Sequence, residues 1–284
     1  MKNILVATDF SRESYCALYY ATELYRNEEC TFSITNFYGN EIETSVYSIV
    51  NEEELEQLPK LKAASQTRCT EVVHRITRDN KQPAHTFETN ISDQKLAHAL
   101  PAFVVKKDID LVVMGTRGHS GTLESLLGSN TSKVIEQAIT CPLLVVPKEL
   151  DFKAPRKIVF ATELKKKFSH SSLAELKKLA VNFQSKITIL YVGGRDSLGQ
   201  KQKDNLNHLK MLLQGIKFGV EYLPSDEEVS KAVSAYVKEN KIQLLSMVYY
   251  PHNFTHTIFR EPVIRKIDQH LAFPFLVLPQ KTEE

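Results

Sequence analysis

Short apolar runs alternate along this chain with longer stretches in which apolar residues recur every three or four positions. In the first half, 4–8, 31–38, 84–88, 111–115 and 143–146 read as strands, and 11–26, 55–70, 93–107 and 131–139 read as amphipathic helices. Ser92 or Asp93 is placed to cap the third helix, and Ser129 or Asn130 the fourth. The run Leu111-Val112-Val113-Met114 is apolar throughout, as expected of a strand covered on both faces. Strict alternation of strand and helix predicts βαβ units, and so an α/β fold with a parallel sheet between helical layers.

The pattern then repeats. Lys2-Asn3-Ile4-Leu5-Val6-Ala7-Thr8-Asp9 is echoed 154 positions later by Arg156-Lys157-Ile158-Val159-Phe160-Ala161-Thr162-Glu163, and Phe37-Tyr38-Gly39 by Tyr191-Val192-Gly193. Further on the offset falls to 133, matching 109–114 with 242–247, and then to 132, matching 141–147 with 273–279. The falling offset marks extra length in the first half, which the reading assigns to 40–81, a surface loop and helix. The expectation is two tandem doubly wound domains, 1–148 and 156–280. Each would carry a five-stranded parallel sheet in the order 3-2-1-4-5, covered by helices.

In that order the fifth strands, 143–146 and 275–278, are sheet edges, and exposed apolar edges invite aggregation unless paired. Prolines bracket each run: Pro142 and Pro147, Pro274 and Pro279. The linker 148–155 is eight residues, reaching at most about 28 Å. The two final strands are therefore expected to meet across a pseudo-two-fold axis, making the chain an intramolecular pseudo-dimer with room left for a further homodimer.

Composition narrows the function. With 284 residues, 42% hydrophobic and 25% charged, this is ordinary globular protein with length for two cores. Thirty-six basic against 34 acidic residues leave a net charge of +2, which gives no general electrostatic reason to bind nucleic acid or an anionic membrane. Lys165-Lys166-Lys167 reads as a solvated local stretch. No apolar run approaches the ~20 residues of a membrane span, and the apolar run after Met1 is too short for a secretory signal. Cys16, Cys30, Cys69 and Cys141 have neither C-x-x-C nor zinc-like spacing. A cytoplasmic, reduced protein is the expectation.

Candidate chemistry gathers where the winding of the sheet reverses, beyond the ends of the first and fourth strands. Asp9 follows the first; its carboxylate or neighbouring backbone could hydrogen-bond a ribose or a base. Gly115 opens a loop after the fourth, running to Thr131 with spacing G-x2-G-x9-G-S at Gly115, Gly118, Gly128 and Ser129. Gly115 and Gly118 are expected to permit left-handed backbone and close approach of N–H groups to an anion. Gly128-Ser129-Asn130-Thr131 opens a helix whose free N–H groups favour phosphate. Arg117 adds a forked cation that could equally point to water.

These residues carry a resemblance. Val6-Ala7-Thr8-Asp9-Phe10-Ser11, Val113-Met114-Gly115-Thr116-Arg117-Gly118, Leu127-Gly128-Ser129-Asn130-Thr131 and Cys141-Pro142-Leu143-Leu144-Val145-Val146 resemble a universal stress protein domain over about 1–148, and more faintly over 156–280. The whole chain looks like a tandem member of that family. ATP-binding members use this glycine loop, and every defined position is filled. The resemblance implies that Thr8, Asp9 and the backbone near Phe37 hold the adenosine end. It implies further that Met114, Gly115, Arg117, Gly118, Gly128, Ser129, Asn130 and Thr131 surround ribose and phosphates, with ATP, ADP or AMP as ligand and Mg accompanying ATP. Asn130 stands where members often have a small apolar residue, and its backbone donor is unaffected.

The second half departs from the pattern. Gly115, Gly118, Gly128 and Ser129 are answered by Val248, Pro251, Arg260 and Glu261, and Asp9 by Glu163. A proline without an N–H and an added negative charge argue against phosphate there. Tyr249, Tyr250, Phe254 and Phe259 are expected to plug the degenerate pocket. His252 and His256 lack a third ligand, and His119 has no nameable partner. No Walker loop or nucleophile elbow is present, and Asp9 and Glu124 are the carboxylates near the loop. Three classes stay open: a nucleotide-regulated, stress-related protein, a slow ATPase or nucleotide-dependent transferase, and an interaction scaffold for another ligand, apolar ones included. A protein partner is unnamed by the sequence.

Overall fold

The computed structural model describes residues 1–40, 52–80, 82–116, 133–135, 140–147, 151–224, 228–250 and 273–281. The chain runs β1 (Lys2–Thr8), α1 (Arg12–Leu24), β2 (Cys30–Phe37), a 3-10 turn (Tyr38–Asn40), α2 (Glu52–Asp79), β3 (His85–Ser92), α3 (Leu96–Lys106), β4 (Leu111–Gly115) and β5 (Leu143–Val146). It continues β6 (Lys157–Ala161), α4 (His170–Asn182), β7 (Lys186–Val192), α5 (Gln200–Leu212), β8 (Lys217–Leu223), α6 (Val229–Glu239), β9 (Leu244–Tyr249) and β10 (Phe275–Pro279).

All ten strands form one sheet, in the order β3-β2-β1-β4-β5-β10-β9-β6-β7-β8. Neighbours are parallel except at the centre, where β5 and β10 pair antiparallel. There Leu276 faces Leu144, Phe275 faces Val145 and Val277 faces Leu143. Leu144 and Leu276 occupy matching places in the two halves, 132 positions apart. A residue opposite its own counterpart is the signature of a two-fold contact. Both runs are fully buried, so the two apolar edges that would be a liability in separate sheets protect each other.

Two apolar cores lie on opposite faces of the sheet, and each crosses the central seam. One gathers Ile4, Val6, Val113, Leu144, Phe160 and Leu276 under α1, α2, α4 and α5. The other gathers Leu5, Val112, Val145, Val159, Leu245 and Val277 under α3 and α6, with Val134 and Ile135 of a helical stretch at 133–135.

Three boundaries differ from the sequence reading, each for a visible reason. Helix α2 runs well past 70, because the buried positions Ser65 and Cys69 continue at helical spacing through Val72 to Ile76. Strand β3 extends to Ser92 because it pairs along the whole length of β2. Helix α3 is not capped by Ser92 or Asp93; its N-cap is Lys95, with no side-chain cap. Residues 93–95 are instead pressed onto the turn at Gly39, where a Cβ would sit 2.3 Å from the Gln94 carbonyl carbon and 2.5 Å from Asp93 O.

A buried polar cluster also ties the halves together. Lys2 Nζ lies 2.6 Å from Glu175 Oε2, and Tyr25 Oη donates to Glu175 Oε1 at 2.5 Å. Beside it Lys178 pairs with Glu28, which also accepts from Asn182 Nδ2 at 2.8 Å. Lys2 and Glu175 are both more than nine-tenths buried, so neither charge can be left alone cheaply. Glu175→Ala is expected to lower stability by about 3–5 kcal/mol, whereas the double change Lys2→Met with Glu175→Leu is expected to cost less, about 1–3 kcal/mol, for the buried Tyr25 hydroxyl that loses its acceptor. Urea denaturation of the three proteins checks this; equal losses would show that packing, not charge pairing, governs the contact.

His85 is held neutral. Its Nε2–H donates to Tyr25 O at 3.1 Å, and its Nδ1 accepts from Asn80 Nδ2 at 3.0 Å. The Asn80 amide is oriented by Gln82 N–H donating to its Oδ1. Burial pushes the imidazole below its usual range, against smaller opposing effects from Tyr25 O and Glu23. Below the unfolded value of about 6.5 the unfolded chain binds a proton that the folded chain refuses, so stability falls as pH falls. Thermal melting from pH 7.5 to 5 should show a steeper acid decline in the wild type than in His85→Gln; parallel curves would remove His85 from the acid limb.

Candidate functional site

Strand β1 lies between β2 and β4, so the winding reverses between β1 and β4. Val6 is in register with Val113, and the strands end side by side at Thr8 and Gly115. This is where an open α/β sheet leaves a crevice for a ligand.

The turn after β1 is built by short polar side chains. Thr8 Oγ1 accepts Phe10 N–H at 3.0 Å, which holds Phe10 in the left-handed region at φ 64°. Asp9 Oδ1 accepts both N–H and O–H of Ser11. Ser11 in turn caps α1 by accepting Ser14 N–H at 3.2 Å. Asp9 is exposed at the strand end, and one of its oxygens is committed to fixing the start of α1. That capping role is local chemistry, which the ligand-centred reading of Asp9 had not included.

Behind the turn lies a residue that the sequence reading missed. Asn36 Nδ2 donates to Thr8 O at 2.7 Å, and Asn36 Oδ1 accepts Ser65 Oγ–H at 2.8 Å. All three residues are buried. The chain Ser65–Asn36–Thr8 joins α2, β2 and β1 at the crevice. An asparagine near the end of an apolar strand was the available signal.

Phe37 is buried and meets Phe103 edge to face, with ring centroids 5.4 Å apart. Its side chain belongs to the core, leaving its backbone for any ligand. Met114 is likewise a core side chain. Gly115 is required for a different reason from the expected one. Among the described glycines only Gly193 and Gly215 have positive φ; at Gly115 a Cβ would sit 2.6 Å from Glu13 O. The first turn of α1 packs directly on the end of β4, and only glycine leaves it room. Thr116 N–H then donates to Val146 O at 3.0 Å. Arg117, Gly118, Gly128, Ser129, Asn130 and Thr131 lie outside the described residues, as do His119 and Glu124.

Helix α2 leans on the same turn. The Arg68 guanidinium lies 4.1 Å from the centre of the Phe10 ring, and that of Arg75 lies 3.8 Å from the Tyr15 ring. Tyr15 Oη donates to Asp79 at 2.5 Å. Among the described residues no cluster of three His, Cys, Asp or Glu is arranged for a metal.

The corresponding place in the second half starts from the same backbone. Thr162 Oγ1 accepts Leu164 N–H at 3.0 Å, and Leu164 is left-handed at φ 56°. From there it is filled. Glu163 pairs with Lys165 at 3.3 Å, and Gln202 and Asn205 of α5 donate to the Glu163 and Leu164 carbonyls, each at 2.8 Å. Leu164 is fully buried, and Val248 stands in place of Gly115. Tyr250 packs against the core beneath Lys166, whose Nζ is 4.9 Å from the ring centre. The cavity left among Thr162, Leu164, Phe168, Val248 and Tyr250 is about 10 Å³, at the lower limit for a single water. Pro251, His252, Phe254, His256, Phe259, Arg260 and Glu261 lie outside the described residues.

Known proteins agree with this architecture. Residues 1–147 match the model of the universal stress protein family. The universal stress protein A homolog 1 of Coxiella burnetii is 30% identical over 152 residues, covering 51% of this chain and 95% of that protein. A universal stress protein from Archaeoglobus fulgidus superposes with a TM-score of 0.71 at 15% identity, covering 98% of each chain. A second structure, a putative universal stress protein from Pseudomonas aeruginosa, superposes with a TM-score of 0.55 at 9% identity, covering 99% of this chain and 94% of that one. These two likenesses establish the fold, and the match over 1–147 establishes descent: the chain belongs to the universal stress protein family.

Proposed function

We propose that the protein is a stress-related regulator that binds ATP, or a related adenine nucleotide, in the first half of the chain and uses it as a conformational or partner-selection ligand. One contrast carries the reading. The two halves start from the same threonine-braced turn at the sheet's reversal, yet the second is packed down to about 10 Å³ by Leu164 and Tyr250. The first keeps an exposed Asp9 beside Gly115 and leads into the glycine loop.

On this reading the residues divide between the two ends of an adenine nucleotide. Thr8, Asp9 and the backbone at Phe37 would meet the adenosine end. The N–H groups of Gly118, Gly128, Ser129, Asn130 and Thr131, with Arg117, would meet the phosphates, and Mg would accompany ATP through them. The reading keeps the domain limits 1–148 and 156–280 set by the sequence repeat, with a single nucleotide site in the first. The four cysteines are free, and burial pushes the thiols of Cys30 and Cys141 up to about 12 and that of Cys69 to about 11. Such thiols are packing groups suited to a reducing compartment, so the reading places the protein in the cytoplasm. Among the described residues no helix is long and apolar enough to cross a membrane.

Calorimetric titration with ATP should give one site per chain, and Gly118→Val should abolish binding, because the added side chain would occupy the approach of backbone to phosphate. Two equivalent sites, or unchanged affinity in the variant, would overturn the assignment.

The sequence beside the loop offers no identifiable general base with a metal pair, and binding rather than rapid turnover is the expectation. Purified protein should release phosphate well below about 1 per second, the low end of ordinary enzyme turnover. Faster release that disappears in a Gly128→Val variant would instead favour the ATPase reading.

A further inference from the structure

The spacing of buried positions in α2 matches that in α5. Cys69, Val72 and Ile76 lie against the core in one helix, as Leu206, Leu209 and Leu213 do in and just after the other, and the buried Ser65 is answered by the half-buried Gln202. Each of these pairs is 137 positions apart. That alignment sets Arg68 opposite Asn205. Asn205 is the buried residue that donates to Leu164 O and closes the second half's turn with a neutral hydrogen bond. In the first half the same helical position delivers a guanidinium to the matching left-handed residue, Phe10.

The delivery is fixed from below. Ser65, one turn before Arg68, bonds Asn36, which bonds Thr8 O. Cys69, the next residue, is buried and its Sγ lies 3.8 Å from Asn90 O. Arg68 is thus held at the β1–α1 turn by its neighbours, although the side chain itself is exposed. Its relative Arg75 is engaged on both sides, by the Tyr15 ring and by Asp79 at 3.8 Å. Among the described residues no carboxylate is paired with Arg68; its guanidinium carbon lies over the Phe10 ring.

We propose that Arg68 is a nucleotide-contacting residue, its second face stacking on the purine base so that the base, the guanidinium and Phe10 form one stack. The proposal rests on the nucleotide reading given above and adds the contact that favours an aromatic base. It follows from position, since Thr8, Asp9 and Phe37 mark the adenosine end, and from chemistry, since a planar cation binds a π face. A lysine has the charge without the plane. Contact with the base, unlike contact with phosphate, acts equally on adenosine and on ATP.

The test is calorimetric titration of the full chain, wild type, Arg68→Ala and Arg68→Lys, with ATP and with adenosine, after thermal melting confirms that each variant folds. Both variants are expected to weaken ATP and adenosine by a similar factor, roughly three- to thirty-fold; should the alanine variant not fold, the lysine variant carries the comparison. Weakening of ATP alone would assign Arg68 to the phosphates and overturn the stack. Unchanged affinities in variants of a chain that still loses ATP on Gly118→Val would reduce Arg68 to a packing residue on Phe10. Failure of the unaltered chain to bind either compound would remove the nucleotide reading itself, and this contact with it.

Discussion

The antiparallel pairing of β5 with β10 is the contact on which the rest of the molecule depends. Each is the last strand of a parallel set, apolar from end to end and bracketed by prolines, so each would expose unpaired backbone and four or five large side chains if left as an edge. Joined, they turn two five-stranded sets into one ten-stranded sheet. Both apolar cores become continuous across the seam. The edges that remain are β3 and β8, with polar residues among the apolar ones and incompletely buried.

Apolar pairing alone is non-directional, and the Lys2–Glu175–Tyr25 cluster supplies direction. Two buried charges and a buried phenol are satisfied only when α4 of one half sits against β1 and α1 of the other. Burial is the largest cause raising the phenol of Tyr25 above its usual range, and the nearby Glu175 carboxylate adds to it, so the hydroxyl stays a donor. The cost of desolvating such a cluster makes it a poor source of stability and a good source of specificity for one docking geometry. Because Lys2 opens the strand that ends at Thr8, the element anchoring the seam is also the element that carries the candidate site.

The two reversal points show how one backbone plan serves opposite ends. Thr8 and Thr162 brace the same left-handed turn, and Ser11 and Ser169 cap the helices that follow. In the second half the turn carbonyls are consumed by Gln202 and Asn205, and the space is taken by Leu164, Val248 and Tyr250. In the first, glycine at 115 lets α1 approach β4, and α2 brings a guanidinium instead of an amide. Different residues at a few positions thus pack the second turn while the sheet beneath both turns keeps the same order.

Sequence by itself determined the alternation of strands and helices, the two-fold recurrence of the pattern and, given the usual strand order of such folds, the expectation that the last strands meet. These follow from periodicity and from the need to bury apolar edges, which are properties of linear pattern. It also marked Thr8, Asp9 and Gly115 as special, because polar residues and glycine stand out at the ends of apolar strands. Tertiary structure alone decided why. Gly115 answers to Glu13 O, a contact between segments about a hundred residues apart, and left-handed backbone plays no part. Asp9 first holds Ser11, the residue that caps α1. Lys95 replaces Ser92 and Asp93 at the start of α3 because the chain there is pressed onto Gly39. The Ser65–Asn36–Thr8 chain and the Lys2–Glu175 pair join elements far apart in sequence. Hydrogen bonds and ion pairs of that kind leave no periodic trace, because their partners are chosen by the packing of helices on the sheet.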